Sequence, residues 1–439
     1  MTDRVRISRT FCMSQGGVRV PGQWFNPRRE ASPWPLLMVC AIALAVMATG
    51  CARLDLRDGI DDAQVARRAV VAGLPGIRFW ADETPGDIDN VIARRLPRLP
   101  SLAALSGAPQ GPPVVDILAL SGGGGDGAFG AGLLKGWTAR GDRPKFEVVT
   151  GVSAGAIIAP FAFLGSKYDD DLEEIWTSYK TSEIVTAQIL PGLLGGPALA
   201  DTAPMQALIA RYVDGEMLRR IAYEYQRHGR VLLIGTTNLD AQRPVVWNMG
   251  EIAASGHPDA LQLFRDVILA SAAIPGAFPP VEIKVEADGQ IYSEMHVDGG
   301  TTQEIFISPA RVPLRTFDRL YAEPPVRRIY IINNGKVNPE QKVVKAQTIP
   351  IAARAISTLI KSQSLAEIYR IYRMATDADA DFNFIAVPPD FEVQKDQFFD
   401  PIYQRALFEA GNKAGRKGNR WLKHPPDLPA HDRIQSAAR

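Results

Sequence analysis

From Val114 onward, short apolar runs alternate with amphipathic ones, a pattern that predicts strand, helix, strand, helix in turn. Val114-Val115-Asp116-Ile117-Leu118-Ala119-Leu120-Ser121 reads as a strand, and Leu133-Leu134-Lys135-Gly136-Trp137 as part of the helix after it. Lys145 to Thr150 is a second short strand, and Ala156-Ile157-Ile158-Ala159 continues as an apolar helix. Further strands are expected at Val231–Thr236, Pro244–Trp247, Gln290–Val297, Arg328–Ile332 and Asp381–Val387. Ala352 to Met374 reads as a long helix with an apolar stripe through Ile356, Leu359, Ile360, Leu365, Ile368, Tyr369 and Tyr372, interrupted at Gln363. That stripe reads as core packing, with membrane contact as the alternative. Phe398 to Lys413 is expected to be a final helix. The alternation predicts an α/β fold with a mainly parallel central sheet covered by helices on both faces.

Before Val114 the pattern changes. Ala52 to Arg95 suggests a small N-terminal region, with a helix over Asp61–Ala72 and an aromatic Ile77-Arg78-Phe79-Trp80. Leu96 to Pro113 is rich in Pro, Gly and Ser and reads as a connection. The expected divisions are a leader over 1–50, the N-terminal region and connection over 51–113, a core over 114–315, the C-terminal part of the α/β domain over 316–424, and a disordered tail over 425–439. Ile184 to Leu199 is apolar and rich in Gly, Leu and Pro; it reads either as buried loop packing or as a cover for an apolar groove.

Leu36 to Gly50 carries no charge, follows Arg28-Arg29 and ends in Met47-Ala48-Thr49-Gly50-Cys51. It is short for a spanning helix and suits the apolar region of a signal peptide. The approach to the cysteine resembles a bacterial lipoprotein processing site. That implies cleavage after Gly50, lipidation of Cys51 and, because Ala52 rather than Asp follows, the outer rather than the inner membrane of the cell envelope. An uncleaved N-terminal anchor is the alternative. The three cysteines are Cys12, Cys40 and Cys51, so the globular part has none for a disulfide or a metal site. The formal net charge of +1 gives no case for nucleic acid. Without residues 1–50 the chain has 43 basic and 46 acidic residues, a weakly acidic body that would not hold anionic lipid by overall charge.

Three short motifs carry candidate chemistry. Gly151-Val152-Ser153-Ala154-Gly155 is Gly-x-Ser-x-Gly between a strand and a helix, a turn that lifts a serine oxygen above a sheet. Taken singly it could equally be a glycine-rich corner with a capping serine. Upstream, Gly122-Gly123-Gly124-Gly125-Asp126-Gly127 joins a strand to a helix N-terminus and can turn its N–H groups on an anion, either a phosphate or an oxyanion. The literal G-x-G-x-x-G over Gly125–Gly130 lacks the acidic residue of a dinucleotide site, since the next strand ends in Gly-x-Ser-x-Gly, and no Gly-Lys-Ser/Thr is present. Asp298-Gly299-Gly300 follows a strand and reads as a turn or as a carboxylate placed to take a proton.

In their order these motifs resemble the patatin-like phospholipase family, which has a glycine-rich loop, Gly-x-Ser-x-Gly and then Asp-Gly-Gly or Asp-Gly-Ala. Ala270-Ser271-Ala272-Ala273-Ile274-Pro275-Gly276-Ala277-Phe278-Pro279-Pro280 is also similar to the family's apolar stretch before the aspartate. The resemblance covers about Ile117 to Phe306. It implies a Ser-Asp dyad: Ser153 as nucleophile, Asp298 as proton acceptor and the amides of Gly122–Gly125 as oxyanion hole. It also implies hydrolysis of acyl esters of membrane lipids or lysolipids, without metal or cofactor. One departure is Asp126, where the family usually has Arg or Lys.

The histidines bear on the same question. Of His228, His257, His296, His424 and His431, only the last two follow Asp298, both in a Pro-rich polar tail, which argues against a Ser-Asp-His order. His296 precedes Asp298 by two, on the same strand face, and reads as structural or as tuning the aspartate. Two other functions use the same residues: a soluble esterase on short-chain or non-lipid esters, and a scaffold that keeps the fold without turnover.

Overall fold

The computed structural model describes residues 57–86, 88–95, 97, 112–187, 198–309, 311–418 and 420–426. The leader, Cys51, most of the 96–113 connection, most of the apolar 184–199 stretch, His431 and the tail from 427 lie outside the described residues. The chain divides at Arg57–Asp58, and the elements below belong to the second unit.

Among the described residues, twelve strands follow in chain order: β1 (Val70–Val71), β2 (Arg78–Trp80), β3 (Val114–Leu120), β4 (Val148–Val152), β5 (Thr186–Ala187), β6 (Ala200–Asp201), β7 (Val231–Asn238), β8 (Arg243–Asn248), β9 (Val281–Ala287), β10 (Gln290–Asp298), β11 (Val326–Asn333) and β12 (Asp381–Ala386). Strands β12, β11, β3, β4 and β7 pair in parallel in that order. Antiparallel strands finish the margins: β8 and β2 beyond β7, and the β9–β10 hairpin with β1. The fold is thus α/β, parallel at the centre of its sheet and mixed at the edges.

Strand β3 shows why the centre reads as an unbroken apolar run. Leu118 and Leu120 face one core, with Phe129, Leu133, Phe161, Leu407 and Phe408 from the helices Ala128–Arg140, Ala154–Leu164 and Pro401–Lys417. Val115, Ile117 and Ala119 face the other, with Ile368 and Ile371 of the helix Thr348–Asp377. Both faces are covered, so alternation disappears at the central strands. Only the hairpin strand β9, half open, alternates exposed and buried positions cleanly.

Several boundaries differ from expectation. The first helix stops at Arg68, because Val70 and Val71 pair with Glu286 and Val285 instead. The last helix starts at Pro401, where the Asp400 carboxylate accepts from the Ile402 and Tyr403 amides. The long helix runs from Thr348 to Asp377, but packs only through its second half, at Ser364, Glu367, Ile368, Ile371 and Ala375. Ile356 and Leu359, expected in the core, are exposed. No helix among the described residues is long and apolar enough to cross a membrane.

Candidate active site

Parallel pairing aligns the C-terminal ends of three strands. Leu120 lies opposite Gly151, and Val152 opposite Gly235. The antiparallel β10 then sets Asp298 opposite Thr236, beside Gly235. Register alone therefore brings Ser153, just past β4, and Asp298, at the end of β10, to the same edge of the sheet.

Ser153 has φ +52° and ψ −120°, outside the ordinary regions for a side-chain-bearing residue. The helix Ala154–Leu164 begins directly after it, and at Gly155 a Cβ would lie 2.3 Å from the Leu120 carbonyl oxygen. The second glycine of the motif is thus required by the crossing of this helix over β3, while Gly151 sits within β4. Strain of this kind persists where the surroundings hold it. Here the holder is Ser271: its Oγ accepts from the Ser153 amide at 3.0 Å and donates to the Gly235 carbonyl at 2.6 Å. The Asp298 amide donates to the Ala273 carbonyl at 2.9 Å, so the 270–280 stretch positions both residues.

Asp298 is buried. Its Oδ1 accepts from the Gly300 amide at 2.8 Å, within the turn Gly299–Thr301. The facing Ser153 hydroxyl and that amide both favour its charge, but burial outweighs them and pushes the carboxyl up to about 7. A second buried carboxyl, Glu304, adjoins it, and a third, Glu367, adjoins Glu304. Glu304 fills the space that a side chain at Gly122 or Gly300 would take. Burial, Asp298 and Glu367 hold it protonated well above the usual carboxylate range. Glu367 accepts from the Glu304 and Ile305 amides at 2.9 Å, yet burial still raises it to about 7.

The glycine run leaves β3 at Ser121 and enters a 3-10 turn over Gly124–Gly127 that leads into the helix Ala128–Arg140. Gly123 takes φ +146°, and a Cβ there would lie 2.0 Å from the Asn334 carbonyl oxygen. Asn334 braces the loop at both ends: its amide and Nδ2 donate to Ser121, and its Oδ1 accepts from the Gly130 amide. The amides of Gly123, Gly124 and Gly125 have no acceptor among the described residues, whereas Gly122 donates to the Glu304 carbonyl at 3.4 Å. Three unengaged amides at a helix start can hold a developing negative charge. Asp126 is not alone: Lys395, from the loop after β12, meets it at 3.0 Å and restores a cation to this end of the run.

His296 is wholly buried, with Nδ1 on Thr236 Oγ1 at 3.0 Å and Nε2 on Glu294 at 3.1 Å. Both ring nitrogens are thus used, and burial lowers its pKa. It is structural and does not touch Asp298. His424 bonds the Pro425 carbonyl, and no described histidine reaches Ser153. Ser271, Glu304, Asn334 and Lys395 are residues that motif reading did not single out. A cavity of about 430 Å³ opens near the opposite strand ends, beside Ile117, Val148 and Val231, and includes none of the site residues.

The family model described as patatin-like phospholipase matches residues 118–311, which hold all three motifs. Among solved structures, the chain is similar to VipD from Legionella pneumophila, with 12% identity, 73% of this chain and 70% of that chain covered, and a TM-score of 0.35. No curated protein matches the chain. Residues 118–311 of this chain are a patatin-like phospholipase domain.

Proposed function

We propose that the protein hydrolyses acyl esters of membrane phospholipids or lysophospholipids through a Ser153–Asp298 dyad. The observation that carries this reading is the meeting of a strained serine, a buried carboxyl poised near neutrality and three unengaged amides at one sheet edge. Ser153 Oγ attacks the acyl carbonyl and passes its proton to the Asp298 carboxylate. The carbonyl oxygen gains negative charge and is held by the amides of Gly123–Gly125. On collapse, the carbon–oxygen bond to the alcohol breaks and Asp298 returns the proton to the leaving oxygen. Water, deprotonated by Asp298, then attacks the acyl-serine; the acyl–oxygen bond breaks, Asp298 gives the proton to Ser153 Oγ and the fatty acid leaves. Ser271 acts only through the position of Ser153.

The test is Ser153→Ala with a fluorophosphonate probe and a phospholipid substrate. Wild type should be labelled once, at Ser153, and release fatty acid; the variant should do neither. Unlabelled wild type would mark a silent scaffold, and turnover retained above about a tenth in the variant would remove Ser153 from the mechanism. We also propose that Cys51 is the acylated N-terminus of the mature protein, bound for the outer membrane, on the strength of the uncharged run before it. A wild-type mass that begins at Met1 would overturn that.

A further inference from the structure

The long helix Thr348–Asp377 has two halves with different surroundings. Ser364 Oγ donates to Asn333 Oδ1 at 3.0 Å, at the C-terminal end of β11, and from there to Asp377 the helix runs back along the sheet. Residues 348–363 therefore continue past the sheet edge, for about 24 Å at the α-helical rise. This is the edge that carries Ser153 and Asp298.

The projecting half is not a continuation of the core stripe. At 100° per residue, Ile349, Ala352, Ile356 and Leu359 share one side, about a quarter turn from the buried Ser364, Glu367, Ile368, Ile371 and Ala375. On the side opposite this apolar one, Arg354 and Lys361 are pinned: Arg354 bonds the Glu340 carbonyl, and Lys361 reaches the Asn338 carbonyl at 2.9 Å and Glu340 at 2.7 Å. The pinned side fixes the direction of the apolar one. Ile349, Ile356 and Leu359 are exposed there, Leu359 by 69%. In the preceding segment Val343 is 95% exposed, and beside the glycine loop Phe398 is exposed as well.

Charge decides what such a face fits. Between Gly335 and Gln363 stand five basic residues, Lys336, Lys342, Lys345, Arg354 and Lys361, against one acid, Glu340. Lys336, Lys361 and Lys395 all act on Glu340, which ties this segment to the loop that holds Asp126. Arg354 and Lys361 are turned away, but Lys342 and Lys345 lead into the apolar side of the helix, and basic charge bordering an apolar helical face is the pairing that interfacial helices use on anionic lipid. We infer that the face formed by residues 343–359 and Phe398 docks on an anionic phospholipid surface and sets the glycine loop and Ser153 toward it. The inference rests on the hydrolase reading for its biological use, but the docking can be read without turnover.

The full chain is compared with Ile356→Asp/Leu359→Asp and with Lys342→Glu/Lys345→Glu. Each acts on phosphatidylcholine vesicles, on vesicles of phosphatidylcholine with phosphatidylglycerol, and on a monomeric short-chain ester; vesicle cosedimentation is measured in parallel in a Ser153→Ala background. The aspartate pair should lower vesicle hydrolysis about tenfold or more, since both apolar contacts are replaced by charge, and leave the monomeric ester rate unchanged. The glutamate pair should remove the preference for phosphatidylglycerol, as should high salt. Unchanged vesicle rates, or equal loss on both substrates, would overturn the inference, as would a self-associated wild type that the aspartate pair dissociates, which would make a second copy the occupant. If wild type hydrolyses neither substrate, the hydrolase reading fails while the cosedimentation still decides the docking.

Discussion

Replacing Asp298 by Asn should stabilise the protein above neutral pH while it destroys the activity. The carboxyl is buried, and its folded-state pKa of about 7 lies above the ordinary 3.8. Its contribution to stability is therefore complete below about pH 4 and is lost as the pH rises through about 7. A shift of about three units corresponds to about 4 kcal/mol of penalty for ionising the native state. Asparagine is nearly isosteric, keeps an oxygen for the Gly300 amide and has no ionised form. The stability difference between variant and wild type should then grow by about 4 kcal/mol between about pH 4 and pH 7. Glu304 should widen it at alkaline pH, because Asp298 helps to raise Glu304 and the amide would not. Urea unfolding of both proteins across the pH range measures the difference. On the activity side, wild-type kcat/KM should rise with pH through about 7, as the base must be ionised, and the variant should lose about a thousandfold. Parallel stability curves would refute the argument, because they would mean that Asp298 is ionised at little cost in the native state.

Gly123→Ala should cut the acylation rate of a chromogenic ester about a hundredfold, because its Cβ meets the Asn334 backbone and the amides must turn away. Gly124→Ala should cost far less: its φ of +55° is an αL value, and its Cβ meets only the Phe398 ring at 3.3 Å. Equal rates in the two variants would separate the loop from charge stabilisation. Ser271→Ala strips the acceptor from the buried Ser153 amide, so stability should fall by about 1–3 kcal/mol and kcat should fall with KM little changed. An unaltered kcat would show that the strained turn holds itself.

The three motifs were legible because each is a local solution to a local constraint. Gly155 must be glycine because its own helix crosses β3 within a few residues, and that requirement is written where it acts. Ser271, Glu304, Asn334 and Lys395 were illegible for the opposite reason. Each is an ordinary residue whose role exists only once the fold brings it to a partner 36 to 269 positions away, as with Ser271 on Gly235, Asn334 on Ser121 and Lys395 on Asp126. The mixed margins of the sheet were also hidden, since alternation cannot tell an antiparallel edge strand from a parallel one. The 352–374 stripe misled because a single periodic pattern spans two environments: the core-facing side turns by a quarter turn at Ser364, where the helix leaves the sheet.

The brace at Asn334 has a consequence for synthesis. The glycine loop is cleared from β3 early in the chain, yet its conformation is fixed by Asn334, by Lys395 and by the Pro401–Lys417 helix, which packs on Ala128–Arg140. Strand β11, which flanks β3, is also made more than two hundred residues after it. A nascent chain that has already produced Ser153 and Asp298 still has an edge strand in place of a sheet centre and a loop with nothing to lean on. Chain order thus sets an order of assembly: the oxyanion-holding conformation waits on Asn334, Lys395 and the Pro401–Lys417 helix, so a chain cut short after Gly300 would carry all three motifs and no braced loop.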